Sequence, residues 1–299
     1  MPIIDKRKYL QPEMVAKLNN MSLIARLVVE GYIVGLHKSP YHGFSVEFAE
    51  HRAYGIGDEI RHIDWKLYGK TDRFYIKQFE EETNLRSYLL LDTSKSMTFK
   101  SGPVSKLQYG TYLAAALTYL MLNQQDGVSL TLFDERTRSF VPPRSTKSHL
   151  NTVLAQLENI TPGPDTKIAP ALHQLAEKIW KRGLIILISD LLDDPDDVLT
   201  GLKHFRHKKH EVIVFHLLDR QELDFNYSVR TRFRDLESGK EITTEPWQIK
   251  TAYRKIVKEF QNTYKIKCRA KNIDYVPIYT DENLDLALNG YLMKRKTIG

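Results

Sequence analysis

Two runs of apolar residues, SYLLLD (87–92) and LIILISD (184–190), are too short for helices and carry almost no polar position. Runs of this kind are expected of parallel strands buried on both faces. EVIVFHLLD (211–219) and IDYVPIYTD (273–281) predict two more strands. VSLTLFD (128–134) predicts another, followed by a hairpin through TRSFVP. Between them the spacing turns helical at Val104–Leu122, His149–Leu157, Ile168–Lys181 and Gln248–Tyr264. A further helix opens at Asp193, Asp194, Asp196 and Asp197 around Pro195, where carboxylates complement the helix dipole and proline suits the first turn. It ends near KHFRHKKH (203–210), and Asp281 is placed to cap a last helix toward Lys294.

Earlier in the chain the pattern differs. Met14, Leu18, Leu23, Ile24, Leu27 and Val28 recur at helical spacing within residues 1–30. From Tyr41 to about Thr83 the pattern is irregular and punctuated by Gly43, Gly55, Gly57 and Gly69, with short extended pieces such as FSVEF and RFYIKQF. Residues 221–246, with the turn ESGKE, predict a β-hairpin excursion. Alternating strands and helices predict an α/β fold: a mainly parallel sheet with helices on both faces. The division is a helical and irregular β segment over 1–84 and a main domain over 85–299. Right-handed crossovers align the strand C-termini along one edge, beyond which ligands bind.

Two of the apolar runs end in aspartate, Asp92 and Asp190. Asp92 begins an Asp-x-Ser-x-Ser pattern with Ser94 and Ser96, and a third loop, TPGPDT (161–166), presents Thr166 just before a helix. If the three loops share one sheet edge, these oxygens meet. Carboxylates and hydroxyls without histidine or cysteine disfavour zinc and copper and suit Mg²⁺, or another hard divalent cation such as Mn²⁺ or Ca²⁺. Ser94 and Ser96 can ligate directly, and Asp92, Asp190 and Thr166 directly or through bound water. Two carboxylates leave such an ion incompletely neutralised, so a partner's carboxylate can complete its coordination.

The rest of the composition narrows the function. The net charge is +7, from 44 basic against 37 acidic residues interspersed along the chain, which predicts a mixed solvated surface. The basic run KHFRHKKH carries no nucleic-acid recognition motif and is expected as helix-end cations, so no specific nucleic acid is expected. The single cysteine, Cys268 in KIKCRAKN, lies near a predicted strand and is expected to be structural. It forbids an intrachain disulfide and fits a reducing compartment. The longest nearly apolar stretch, Tyr112–Leu122, is shorter than the ~20 residues of a membrane span, so a soluble, cytoplasmic protein is expected. No phosphate loop of the G-x-x-x-x-G-K-[ST] type and no G-x-S-x-G elbow occurs. His42, His51, His62, His149 and His173 show no metal-type spacing. Asp58, Arg61, His62, Asp64 and Trp65 form a polar-aromatic patch, expected to pin the N-terminal segment to the main domain through internal ion pairs and hydrogen bonds, with a partner or allosteric surface as the alternative.

Asp92, Ser94, Ser96, Thr166 and Asp190 resemble the metal-ion-dependent adhesion site of von Willebrand factor A domains. One departure is Leu191, where many such domains carry glycine. Phe48, Glu50, Arg52 and Tyr54, then Gly57-Asp58 and Arg61-His62-Ile63-Asp64-Trp65, resemble the signature of the bacterial family called domain of unknown function 58. FRDLESGKE (233–241) is similar to that family's C-terminal part, and the resemblance covers roughly 35–290. It implies a von Willebrand factor A-type domain acting as adaptor or chaperone-like partner of a MoxR-type AAA+ ATPase, beside which such proteins are commonly encoded. The expected function is therefore metal-dependent protein binding without catalysis. The alternative is a Mg²⁺-dependent phosphohydrolase of haloacid dehalogenase type with Asp92 as nucleophile; such enzymes need a second carboxylate two residues later, where this chain has Ser94.

Overall fold

The computed structural model describes residues 11–18, 20–37, 51–53, 55, 65–77, 85–163, 167–236 and 239–298. They fall into two units, residues 36–84 and the remainder. In chain order the elements begin with α1 (Pro12–Val15), α2 (Met21–His37), β1 (His51–Ala53), α3 (Trp65–Thr71) and β2 (Tyr75–Lys77). In the smaller unit β1 and β2 pair antiparallel, and Tyr68 stacks on Phe74 with Trp65 edge-on to both. Of the patch expected to pin the N-terminal segment, Asp58, Arg61, His62 and Asp64 lie outside the described residues, as do His42 and FSVEF.

The larger unit continues with β3 (Arg86–Asp92), α4 (Lys106–Asn123), β4 (Gly127–Phe133), β5 (Thr137–Arg144), α5 (His149–Glu158) and α6 (Ala169–Lys178). It closes with β6 (Leu184–Ser189), α7 (Pro195–His207), β7 (Glu211–Leu218), α8 (Arg220–Asp224), β8 (Thr231–Arg234), β9 (Glu241–Thr244), α9 (Pro246–Ala270), β10 (Asp274–Tyr279) and α10 (Asp285–Ile298). Six strands form one sheet in the order β10-β7-β6-β3-β4-β5. All neighbours run parallel except β5, which returns antiparallel on β4. β8 and β9 form the predicted hairpin as a separate two-stranded sheet.

The apolar runs are explained by position. β3 and β6 lie at the centre, and Leu89, Leu90, Leu91 and Ile185 to Ile188 have no solvent exposure. One face packs against α6, α7 and α9: Leu90, Leu187 and Val214 share a core with Leu172, Leu202 and Tyr264. On the opposite face α4 approaches so closely that a Cβ on Gly110 would stand 3.0 Å from Leu91 and 3.2 Å from Ile188 and Leu217. Its N-terminus is set by Ser105, whose hydroxyl accepts from the Gln108 N–H while the Gln108 side chain accepts from the Ser105 N–H.

Several predicted boundaries move. Among the described residues, the helical N-terminal segment consists of α1 and α2, and α2 runs on to His37. α6 stops at Lys178, three residues early, because Ile179 turns extended at ψ 97° and is buried. α9 runs to Ala270, so Cys268 sits in its last turn, shortly before β10; it is buried, and burial pushes its thiol up to about 12, as befits a structural residue. Asp281 does not cap α10, which begins four residues later; its carboxylate takes the Arg220 guanidinium instead. The excursion also opens with α8, capped by Asp219 and Glu222 in a reciprocal box. The cations at the end of α7 are tied to carbonyls outside it: Arg206 donates to the His210 carbonyl beyond the helix at 2.7 Å, and Lys208 donates to the Ala176 carbonyl in the last turn of α6 at 2.6 Å.

At the entrance to β6, Gly183 lies against β3. A Cβ there would meet the Arg86 carbonyl oxygen at 2.1 Å, and that atom belongs to backbone. Gly183→Ala is therefore expected to lower stability by about 1–3 kcal/mol through overpacking. The check is a fall in urea midpoint with an unchanged m-value; an unaltered midpoint would contradict the close approach.

Candidate functional site

The C-terminal ends of β3 and β6 lie side by side, with Leu91 in register with Ile188. Asp92 and Asp190 are consequently brought to the same edge, both buried. The link between them is Ser189, whose hydroxyl donates to Asp92 Oδ2 at 2.6 Å and accepts from the Leu191 N–H at 2.9 Å. Asp92 Oδ1 accepts from the Ser94 N–H at 2.9 Å. That bond folds the loop after β3 back on itself and brings the Ser94 and Ser96 hydroxyls within 3.1 Å of each other. Ser94 has no exposed surface and Ser96 little.

The third loop reaches the same edge. The Gly163 N–H donates to the Thr93 carbonyl at 2.8 Å, and Thr93 is itself fixed by its N–H and hydroxyl to the Phe133 carbonyl at the end of β4. Thr166 lies three residues beyond Gly163, outside the described residues. Next to Thr93 a cavity of about 290 Å³ opens, lined by Arg138, Ser139, Gln156, Asn159 and Gly163 among others.

Leu191, which departs from the glycine of the adhesion-site pattern, has φ +54°. A non-glycine residue in this left-handed region costs ~1–2 kcal/mol. Leu191 offsets it by complete burial in the core beneath α6 and α7, and its carbonyl accepts from the Tyr264 hydroxyl at 3.2 Å.

The electrostatics follow from burial. Desolvation pushes the Asp92 carboxyl up to about 7, and the charge of Asp190 pushes in the same direction; bonds from Ser189 and Ser94 oppose them. Asp190 forms an ion pair at 2.8 Å with Lys106, the first residue of α4, which also reaches Glu222 of α8 at 2.7 Å. Burial pushes the Lys106 pKa down, but the two carboxylates outweigh it and hold the pKa above the ordinary lysine value. His216, in register with Ser189 on β7, is fully buried and pushed down to about 4 by desolvation, so it is neutral at pH 7; its Nδ1 lies 2.6 Å from the Tyr275 hydroxyl.

Four of the five predicted site residues thus converge on one edge. Ser189, Lys106 and Glu222 were not foreseen. A signal existed for Lys106: it is a cation in the first turn of a helix, against the dipole, followed by a nearly apolar sequence. Among the described residues no group of three or more His, Cys, Asp or Glu side chains gathers into a metal cluster. Two adjacent hydroxyls beside two carboxylates are hard oxygen donors of the kind that suit Mg²⁺, and burial, with the charge of Asp190, raises the proton affinity of Asp92.

The parallel sheet, the helices on both faces and the loop cluster at the strand ends define a von Willebrand factor A-type α/β domain. The chain belongs to the family described as protein of unknown function DUF58, whose profile matches residues 50–265. Uncharacterised proteins from Mycobacterium bovis and Mycobacterium tuberculosis are 25% identical over 240 residues, covering 79% of this chain and 75% of theirs. Among solved structures, the conserved hypothetical protein BatB from Bacteroides thetaiotaomicron shares the fold with a TM-score of 0.51 at 16% identity, over 72% of this chain and all of that one. The SpRpn10 VWA domain aligns with a TM-score of 0.39 at 11% identity, over 69% of this chain and 93% of that one. Among the described residues no helix is long and apolar enough to cross a membrane.

Proposed function

We propose that the chain is a non-enzymatic protein-binding module that holds Mg²⁺, or a related hard divalent cation, at the C-terminal edge of its sheet. The observation that carries this reading is the Ser189–Asp92 bond, which ties the β6 loop to the β3 loop and gathers Asp92, Ser94, Ser96 and Asp190. Both Asp92 oxygens are taken up in hydrogen bonds, and Asp190 has Lys106 as a counter-charge. Ser94 and Ser96 are therefore assigned as direct ligands, with the carboxylates supporting the ion, and Thr166 is assigned to the same set from the family pattern. The ion would supply Lewis acidity toward an incoming carboxylate. The adjoining cavity, lined by Leu132, Ile160 and Pro162 as well as by polar side chains, leaves room for the partner's neighbouring side chains. The partner implied by the family resemblance is a MoxR-type AAA+ ATPase.

Against the phosphohydrolase alternative stand the serine at the general-acid position and the commitment of both Asp92 oxygens. Two measurements test the proposal. Mn²⁺ titration by electron paramagnetic resonance is expected to show one site in the wild type, lost in Ser94→Ala. Capture of a purified MoxR-type ATPase is expected to be abolished by chelator and by Asp92→Ala. Capture indifferent to both would refute metal dependence, and Mg²⁺-dependent phosphatase turnover abolished by Asp92→Asn would establish the alternative.

A further inference from the structure

We propose that Lys106 is a built-in counter-ion of the cation site, sharing Asp190 with the divalent ion and thereby holding the intrinsic metal affinity low. The inference rests on the metal-site reading above.

Lys106 has no exposed surface, yet it is the first residue of α4, where the helix dipole disfavours a positive charge. Its partners compensate both burdens. Its ammonium lies 2.8 Å from Asp190 Oδ2 and 2.7 Å from Glu222 Oε1. Asp190 is 1% exposed, whereas Glu222 retains a quarter of its side-chain surface. A buried ion pair as close as Lys106–Asp190 is strongly coupled, because little solvent screens it.

The charges decide the consequence. Asp190 cannot give its full charge to a divalent ion while Lys106 draws on the same carboxylate. Glu222 moderates this by drawing Lys106 the other way. Removing Lys106 frees Asp190 for the ion; removing the charge of Glu222 commits Lys106 to Asp190 alone. The two changes should therefore move metal affinity in opposite directions. A purely structural lysine would move both the same way or neither.

Glu222 also belongs to α8, which opens the segment leading to the β8–β9 hairpin, and Asp219 anchors that helix to the loop after β3 by accepting from the Ser101 N–H at 2.8 Å. The counter-ion thus joins the cation site to the base of the hairpin.

The experiment is Mn²⁺ titration of chelator-stripped, full-length wild type, Lys106→Met and Glu222→Gln, each verified as folded by circular dichroism. Lys106→Met is expected to bind about tenfold tighter than wild type or more, and Glu222→Gln several-fold more weakly. Should Lys106→Met fail to fold, weaker binding by Glu222→Gln supports the inference and unchanged or tighter binding overturns it. Wild-type binding that Lys106→Met leaves unchanged or weakens overturns the counter-ion role while leaving the metal site intact. Failure of all three proteins to bind Mn²⁺ overturns both readings.

Discussion

Asp92→Asn is expected to raise the stability of the chelator-treated protein at pH 8, although it removes a residue of the candidate site. The wild-type carboxyl is held at about 7 in the fold, against an ordinary 3.8, because burial and Asp190 both oppose its charge. The folded state therefore binds this proton more tightly than the unfolded state. That contribution is complete below about pH 4 and is lost as the pH rises through 7. An upper bound on the loss is about 4 kcal/mol, and asparagine, never charged, avoids it. His216 has the opposite sign: held neutral, with its pKa lowered to about 4, it contributes stability above about pH 6.5 that fades as the pH falls toward 4. It does so in both proteins and drops out of the difference. Thermal melts in chelator should show the variant pulling ahead between pH 4 and 7 and keeping a constant lead above. Saturating Mn²⁺ should reverse the order, since only the wild type offers the ion a full carboxylate. A variant less stable than wild type at pH 8 in chelator would show that its hydrogen bonds outweigh its desolvation.

Leu90→Ala is expected to be the most damaging single truncation of the sheet, at about 3–5 kcal/mol. Leu90 has no exposed surface and sits between Thr131 of β4 and Leu187 of β6, under the packed faces of α6 and α7. Hydrogen-bonded strands flank it on both sides and packed helices cover it, so the cavity collapses poorly. The melting temperature should fall by roughly 10 °C, whereas Leu90→Met, which conserves volume, should stay within about 1.5 kcal/mol of wild type. Equal effects of the two substitutions would show that the neighbouring helices relax into the space.

Much of this was legible in the sequence, for identifiable reasons. The central strands β3 and β6 are buried on both faces, and only an unbroken apolar run satisfies that environment. Their terminal aspartates stand out because charge follows the run at once. Segment ends were less visible. Ile179 leaves α6 because its side chain is wanted in the core, a tertiary demand with no local signature. Asp281 has the composition of a cap, but the Arg220 guanidinium on another segment claims it. Within the site, the ligand-bearing residues follow a spacing, whereas Ser189, Lys106 and Glu222 contribute through partners 97, 84 and 116 residues distant. No one-dimensional pattern announces such pairs. Leu191 shows the converse: its side chain reads as ordinary core, and only the backbone angle reveals why glycine is common there.

The order of the six strands leaves β5 and β10 as the outer margins of the sheet. Each is interrupted by proline, at Pro142 and Pro143 on one side and Pro277 on the other. Proline has no amide hydrogen to offer an incoming strand, so neither margin presents the unbroken donor row that templates aggregation. Phe140, half exposed on β5, therefore stands on a margin that does not invite copies of the chain to stack edge to edge.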